Sequence, residues 1–150
     1  MFSPMPGAAG YQLSNPSILD LTALRSSLSL FSKATMTAIR AKSVLLTGYL
    51  DHLLETQFAS YNPKPFAVIT PQDPNARGAQ LSLLFADGLM LPVFDALRER
   101  GIVVDERKPD VIRVAPVPLY NTFEEVWVFV HTLKSAIDLA AEKGQWVKQS

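Results

Sequence analysis

Apolar residues recur at Ile18, Leu21, Leu24, Leu28 and Phe31, the three-to-four-residue spacing of one helix face. Asn15 followed by Pro16 reads as the start of that helix, with an N-cap and then proline at the first helical position. The period continues through Ile39, and Val44, Leu45, Tyr49, Leu53 and Leu54 extend it. Pro16 to Phe58 is therefore expected to be one long helix or two with a break. Asn62-Pro63-Lys64-Pro65 ends it, because proline removes N–H donors and fixes φ. From there the pattern changes to short β-prone runs. Phe66–Thr70 and Gln80–Phe85 predict two strands separated by the loop PQDPNARG. Leu91 to Arg100 predicts a short helix with Val93, Phe94 and Leu97 inward and Gly101 as its stop. Ile102–Asp105 and Val111–Val114 predict two further strands about a turn at Lys108-Pro109-Asp110. In the last helix, Thr122–Lys143, Thr122 and Glu125 have the spacing of a capping box. Phe123, Val126, Val130, Leu133 and Ile137 line one face of it, and Gly144 closes it.

That order predicts an α+β fold: a short, mostly antiparallel four-stranded sheet with helices packed on one face. No internal repeat or low-complexity segment interrupts it. The opening stretch, FSPMPGAAGYQ, reads as loop and could be the tail of something longer.

Composition narrows the function classes. The chain has 150 residues, the size of one typical domain, and its 48% apolar content suffices for a core. Fourteen basic and 14 acidic residues are interspersed, so the strong basic face that nucleic-acid binding needs is not visible. With no cysteine there is no disulfide framework and no thiolate metal site, and His52 and His131 stand too far apart for a zinc motif. No apolar run approaches a membrane span, and MFSPMPGAAG lacks the basic and apolar regions of a signal peptide, so a cytoplasmic protein is expected.

Arg113 is the main chemical candidate. It stands in the strand-like VIRV, and the alternation of a strand sets it on the opposite face from Ile112 and Val114. The plain reading is a surface arginine facing solvent or paired with a nearby carboxylate. The exit through Ala115-Pro116-Val117-Pro118 adds a second reading. Proline stiffens the backbone there, and a planar guanidinium on a rigid mount suits two-point recognition of a carboxylate. At Ser14-Asn15-Pro16 helix capping is the plain reading, and anion binding at a helix N-terminus is compatible with it. The Gly7 to Gly10 spacing in PGAAG is a weak phosphate signal without a preceding strand. Asp20, Asp51 and Glu55 read as solvated helix positions. His52, His131, Trp127 and Phe129 read as surface or packing residues on helices.

Four stretches, PGAAGYQLSNPSIL, KSVLLTGYLDHLL, ITPQDPNARGAQLSLLF and LRERGIVVDERKPDVIRVAPVPLYNTFEEVW, together resemble the C-terminal part of kynureninases. The resemblance runs from about Phe2 to Glu142, and RVAPVPLYN and GYQLSNP are its most specific parts. It implies the small domain of a pyridoxal 5'-phosphate hydrolase of the aminotransferase-like fold. The family converts L-kynurenine to anthranilate and L-alanine, and acts similarly on 3-hydroxykynurenine, in tryptophan breakdown and the route to NAD. It implies a cytoplasmic homodimer with the active site at the subunit interface. Arg113 falls on the arginine that binds the substrate α-carboxylate. Asn15, with Ser14 beside it, falls on the asparagine at the cofactor and substrate pocket. The Schiff-base lysine and most phosphate-binding residues of the family lie upstream of PGAAG, and Lys33, the first lysine of the chain, matches no such position. Residues 1–15 are thus expected to be a loop leading from a large domain and 16–150 the small domain. The chain alone is expected to be inactive and to hold the cofactor loosely. Two other readings stand beside this: a non-catalytic domain acting as dimerisation partner of a full-length homologue, and a small-molecule-sensing module.

Overall fold

A computed structural model of the protein describes residue 3 and residues 5–144. Residues 1, 2 and 4 of the expected opening loop, and residues 145–150 of the expected small domain, lie outside the described residues. The described residues form two compact units that divide between Met36 and Thr37.

The first unit carries one turn of 3-10 helix at Ala8–Tyr11 and helix α1 (Ile18–Ala34). The helical region is two helices rather than one. The amide of Thr35 closes α1 by donating to the Phe31 carbonyl, and Thr35 then takes φ 61°, a left-handed backbone that a β-branched residue rarely adopts. No glycine or proline marks the break. The stripe Ile18, Leu21, Leu24, Leu28 and Phe31 is periodic as expected, yet no residue of α1 is buried among the described residues.

The second unit begins on α2 (Met36–Gln57) and contains the sheet. Strands β1 (Phe66–Val68), β2 (Leu81–Phe85), β3 (Asp105–Arg107) and β4 (Val111–Val114) are antiparallel throughout, in the order β1-β2-β4-β3. Leu81, Leu83 and Phe85 of β2 and Ile112 and Val114 of β4 are buried, and the residues between them face the other side. β3 is the one strand whose position departs from expectation. Ile102–Val104 runs out of the Gly101 turn without pairing, and the ladder forms only at Asp105–Arg107, the residues within reach of β4 across the short Lys108-Pro109-Asp110 turn.

Helices cover the inward face. From α2 come Leu46, Leu50, Leu53 and Leu54; from α3 (Met90–Glu99), Met90, Val93 and Leu97; from α4 (Phe123–Glu142), Val126, Phe129, Val130, Leu133 and Ile137. Phe123 does not join that inner face as its spacing suggested. It sits one position inside the N-terminus, exposed, with its ring edge-on to Tyr49 at 5.6 Å. Phe129 takes its place in the core, while Trp127 stays outside and stacks on His131.

The capping box of α4 is formed as expected: the Thr122 hydroxyl accepts from the Glu125 amide at 3.2 Å, and Glu125 Oε2 accepts from the Thr122 amide at 2.8 Å. Asn121 also donates to that oxygen, and its bond, followed by the Thr122 amide, holds the Glu125 carboxyl below its ordinary value of 4.5. A depressed carboxyl contributes stability that is present above the ordinary value and is lost as pH falls through the lower folded one. Thr122→Ala is expected to cost about 1 kcal/mol, since it removes the cap oxygen. Glu125→Gln should destabilise at neutral pH, and the gap from the parent should close as the solution is taken below pH 4.5, where both side chains become neutral. Urea midpoints at several pH values check both, and a Glu125→Gln gap that stays constant in acid would refute the capping charge.

Candidate functional site

β4 is an inner strand, and its register sets Arg113 between Ser82 of β2 and Asp105 of β3. The flanking Ile112 and Val114 anchor the strand in the core, so the mount of Arg113 is rigid while its side chain, 34% exposed, lies on the open face. Arg113 donates through Nε to Asp105 Oδ2 at 2.7 Å, and its Nη2 donates to the same oxygen. Arg107 Nη2 reaches that oxygen as well, at 2.9 Å. The plain reading of Arg113 as one half of an ion pair is thus realised, with a partner that periodicity did not single out.

The geometry of that pair leaves something over. Nε and Nη2 share one edge of the guanidinium, so Asp105 occupies the side edge. The end edge, formed by Nη1 and the second proton of Nη2, meets no hydrogen-bond partner among the described residues. Charge is left over too. On this face of β3 and β4 two guanidinium groups meet one carboxylate, an excess of one positive charge. An incoming carboxylate can take both donors of the end edge and balance that charge.

The strand exit is fastened where sequence suggested stiffness. Pro116 is buried. Asn121 closes the following loop in both directions, accepting from the Val117 amide at 2.7 Å through its side chain and donating its own amide to the Val117 carbonyl at 2.8 Å. With its bond to Glu125, Asn121 ties the exit loop to the start of α4. The last residue of RVAPVPLYN therefore has a structural task.

Ser14 and Asn15 lie in the first unit, exposed, in the segment before α1. Asn15 is not the N-cap. Ser17 takes that place, its hydroxyl accepting from the Asp20 amide at 3.4 Å, which puts Pro16 before the cap rather than after it. The Asn15 side chain makes no hydrogen bond among the described residues, so capping no longer accounts for it. Arg113 belongs to the second unit.

The remaining candidates resolve into structure. Asp51 pairs with Arg77 at 2.8 Å, and the Arg77 side chain is only 5% exposed, so this pair locks the loop before β2 onto α2. His131 Nδ1 lies 2.8 Å from the Trp127 carbonyl of its own helix. Among the described residues no three His, Cys, Asp or Glu side chains gather to hold a metal. Lys134 is held above the ordinary lysine value, first by its hydrogen bond with Tyr61, and Asp138 adds to this. Burial, with the Asp138 bond second, raises the Tyr61 hydroxyl. Among the described residues no helix is long and apolar enough to cross a membrane. Hollows of about 510 Å³, beside Phe58, Phe66 and Phe85, and about 450 Å³, beside Ile102, Pro116 and Tyr120, open on the second unit, and Arg113 lines neither.

Comparison with known proteins gives this geometry a context. The pattern of the kynureninase C-terminal domain family matches residues 39–133. The chain is 58% identical over 144 residues to a kynureninase of Coccidioides immitis, covering 95% of this chain and 30% of that protein. It is 56% identical over 142 residues to kynureninase 1 of Emericella nidulans, covering 95% and 29%. The chain thus spans about 30% of the length of the curated relatives it matches. Among solved structures, an Arthrobacter phospholyase in complex with phosphoethanolamine superposes with a TM-score of 0.56 at 18% identity, over 79% of this chain and 27% of that one. At that identity the likeness is one of fold, and it extends the α+β assignment to a known architecture.

Proposed function

Because the chain belongs to the kynureninase C-terminal domain family, we propose that it is the small domain of an enzyme that hydrolyses L-kynurenine to anthranilate and L-alanine, and 3-hydroxykynurenine likewise. In this reading Arg113 binds the α-carboxylate of the substrate and fixes the orientation of the bonds around its Cα. The observation that carries it is the end edge of Arg113, open among the described residues, on an anchored inner strand where two guanidinium groups share one carboxylate. A grip of this kind holds the substrate in one pose and contributes binding in ground and transition states alike. Residues 1–15 are read as the segment entering from a large domain and residues 16–150 as the small domain. In the same reading Ser14 and Asn15 contact the substrate and Asn15 the cofactor.

Pyridoxal 5'-phosphate, when bound, supplies the electron sink for cleavage of the carbon–carbon bond. The residues of this chain suit only the margin of such a site. Asn15 is the proposed contact, since its amide is free of capping duty. The lysine and the phosphate cradle are assigned to the part of the relatives that this chain does not span, and the chain by itself is read as inactive. A cytoplasmic homodimer is the proposed form of the intact enzyme, active in tryptophan breakdown and NAD synthesis.

Exchanging this chain for the matching segment of the Coccidioides immitis relative tests the reading. Anthranilate fluorescence should report hydrolysis of L-kynurenine by the chimera at a rate within about tenfold of the parent, a margin of about 1.4 kcal/mol. A chimera that folds to the parent's size and melting behaviour yet releases no anthranilate would sink it.

A further inference from the structure

The carboxylate already on Arg113 raises a question that the proposed function leaves open. Asp105 could be a rival that fills the clamp, or a brace that holds it. The two differ in which edge of the guanidinium they use. A rival would imitate the substrate, taking the end edge with both of its oxygens. Asp105 instead takes the side edge, Nε and Nη2, with the single oxygen Oδ2. It leaves the two-point end free.

The carboxylate is itself held. Asp105 stands directly opposite Arg113 in the β3–β4 ladder, and Arg107, one strand position pair away on the same face, bonds Oδ2 at 2.9 Å. Arg113 is thus gripped by a group fixed by backbone register and by a second cation. An arginine one-third exposed would otherwise sample several rotamers, and ordering it when the substrate arrives would cost affinity. An exposed pair of this kind adds little to fold stability, so stability alone gives a weak account of it.

We propose that Asp105 is the positioning residue for Arg113: it holds the Nε–Nη2 edge so that the Nη1–Nη2 edge is presented, pre-ordered, to the substrate carboxylate. The inference rests on the reading of Arg113 as the carboxylate clamp. It adds a residue that acts through Arg113 and does not touch the substrate.

A double-mutant cycle in the active chimera tests it, with L-kynurenine as the probe. Asp105→Asn removes the charge that grips the side edge, and it should raise KM about tenfold, the worth of one charge-assisted bond at the low end, with kcat within about twofold. Asp105→Glu keeps the carboxylate on a longer stem and should recover part of that loss. In the Arg113→Lys background, where no side edge remains to be held, Asp105→Asn should change KM by less than about twofold. A merely structural role would lower the melting temperature and act equally in both backgrounds, and that outcome overturns the proposal. So does an unchanged KM in Asp105→Asn when Arg113→Lys alone raises it, a result that leaves the clamp itself standing. If Arg113→Lys leaves KM unchanged, the clamp reading and the brace fall together. Should Asp105→Asn fail to fold, Asp105→Glu decides: a KM raised about threefold at constant kcat supports the brace, and an unchanged KM overturns it.

Discussion

Arg113→Lys in the active chimera should raise the KM for L-kynurenine by about 30-fold, and Arg113→Ala by about a thousandfold. The two differ in what they leave behind. A hydrogen bond to a charged group contributes about 1.5–3 kcal/mol. Lysine keeps the positive charge and one bond but cannot offer two parallel donors, so it forfeits one bond, about 2 kcal/mol, which is a factor of about 30. Alanine forfeits both bonds and leaves Asp105 with Arg107 as its remaining partner. The carboxylate itself undergoes no bond change, so its grip is much the same in ground and transition states, and the loss should fall mainly on KM. Steady-state kinetics on purified variants measures this. Equal KM values for arginine and lysine at this position would show that two-point recognition is not in use, and the proposed role of Arg113 would be withdrawn.

Leu83→Ala should destabilise the protein by about 3 kcal/mol, a large fraction of the roughly 5–15 kcal/mol that holds a domain together. Leu83 is 0% exposed and lies at the middle of β2, with Val68 opposite it on β1 and Ile112 opposite it on β4. Shortening it opens a cavity that neither neighbouring strand can close without losing its own pairing. The adjacent Leu84 is 41% exposed on the other face, and Leu84→Ala should stay within about 0.5 kcal/mol. The contrast between two neighbouring leucines is the measurement, read from urea unfolding of the 150-residue chain. Comparable losses at both positions would mean that the sheet is not covered on one side as described.

Much of this architecture is legible in the sequence because it is written in short-range signals. Short β-prone runs marked β2 and β4, proline and glycine marked the ends of elements, and Thr122 with Glu125 announced α4. Where the outcome depended on competition between near-equal local choices, the pattern was silent. Asn15 and Ser17 are both good caps, and only the reach of the Ser17 hydroxyl to the Asp20 amide separated them. Thr35 breaks the helical region with no breaker residue present. Periodicity also promised a buried stripe on α1 that the described residues do not bury, since spacing identifies a face without supplying what covers it.

The site followed the same division. Arg113 was visible because a cation among valines is unusual, and its rigid exit was visible in the two prolines. Asp105 was missed because it was taken as the end of a strand and not placed across from anything. A signal was available: in a hairpin this tight, residues equidistant from the turn face each other, and Asp105 and Arg113 are equidistant from Pro109. Asn121 was noticed for its motif, but its bonds to Val117 and Glu125 needed coordinates.

The symmetry of that hairpin about Pro109 makes loop length a functional quantity. One residue inserted or deleted between Arg107 and Val111 would alter no side chain in the site. It would slide β3 along β4 by one position, move Asp105 out from opposite Arg113, and turn the alternate set of β3 side chains toward the guanidinium. Surface turns ordinarily tolerate such changes well. This one should behave as a ruler, admitting substitutions at its tip far more readily than any change in its count.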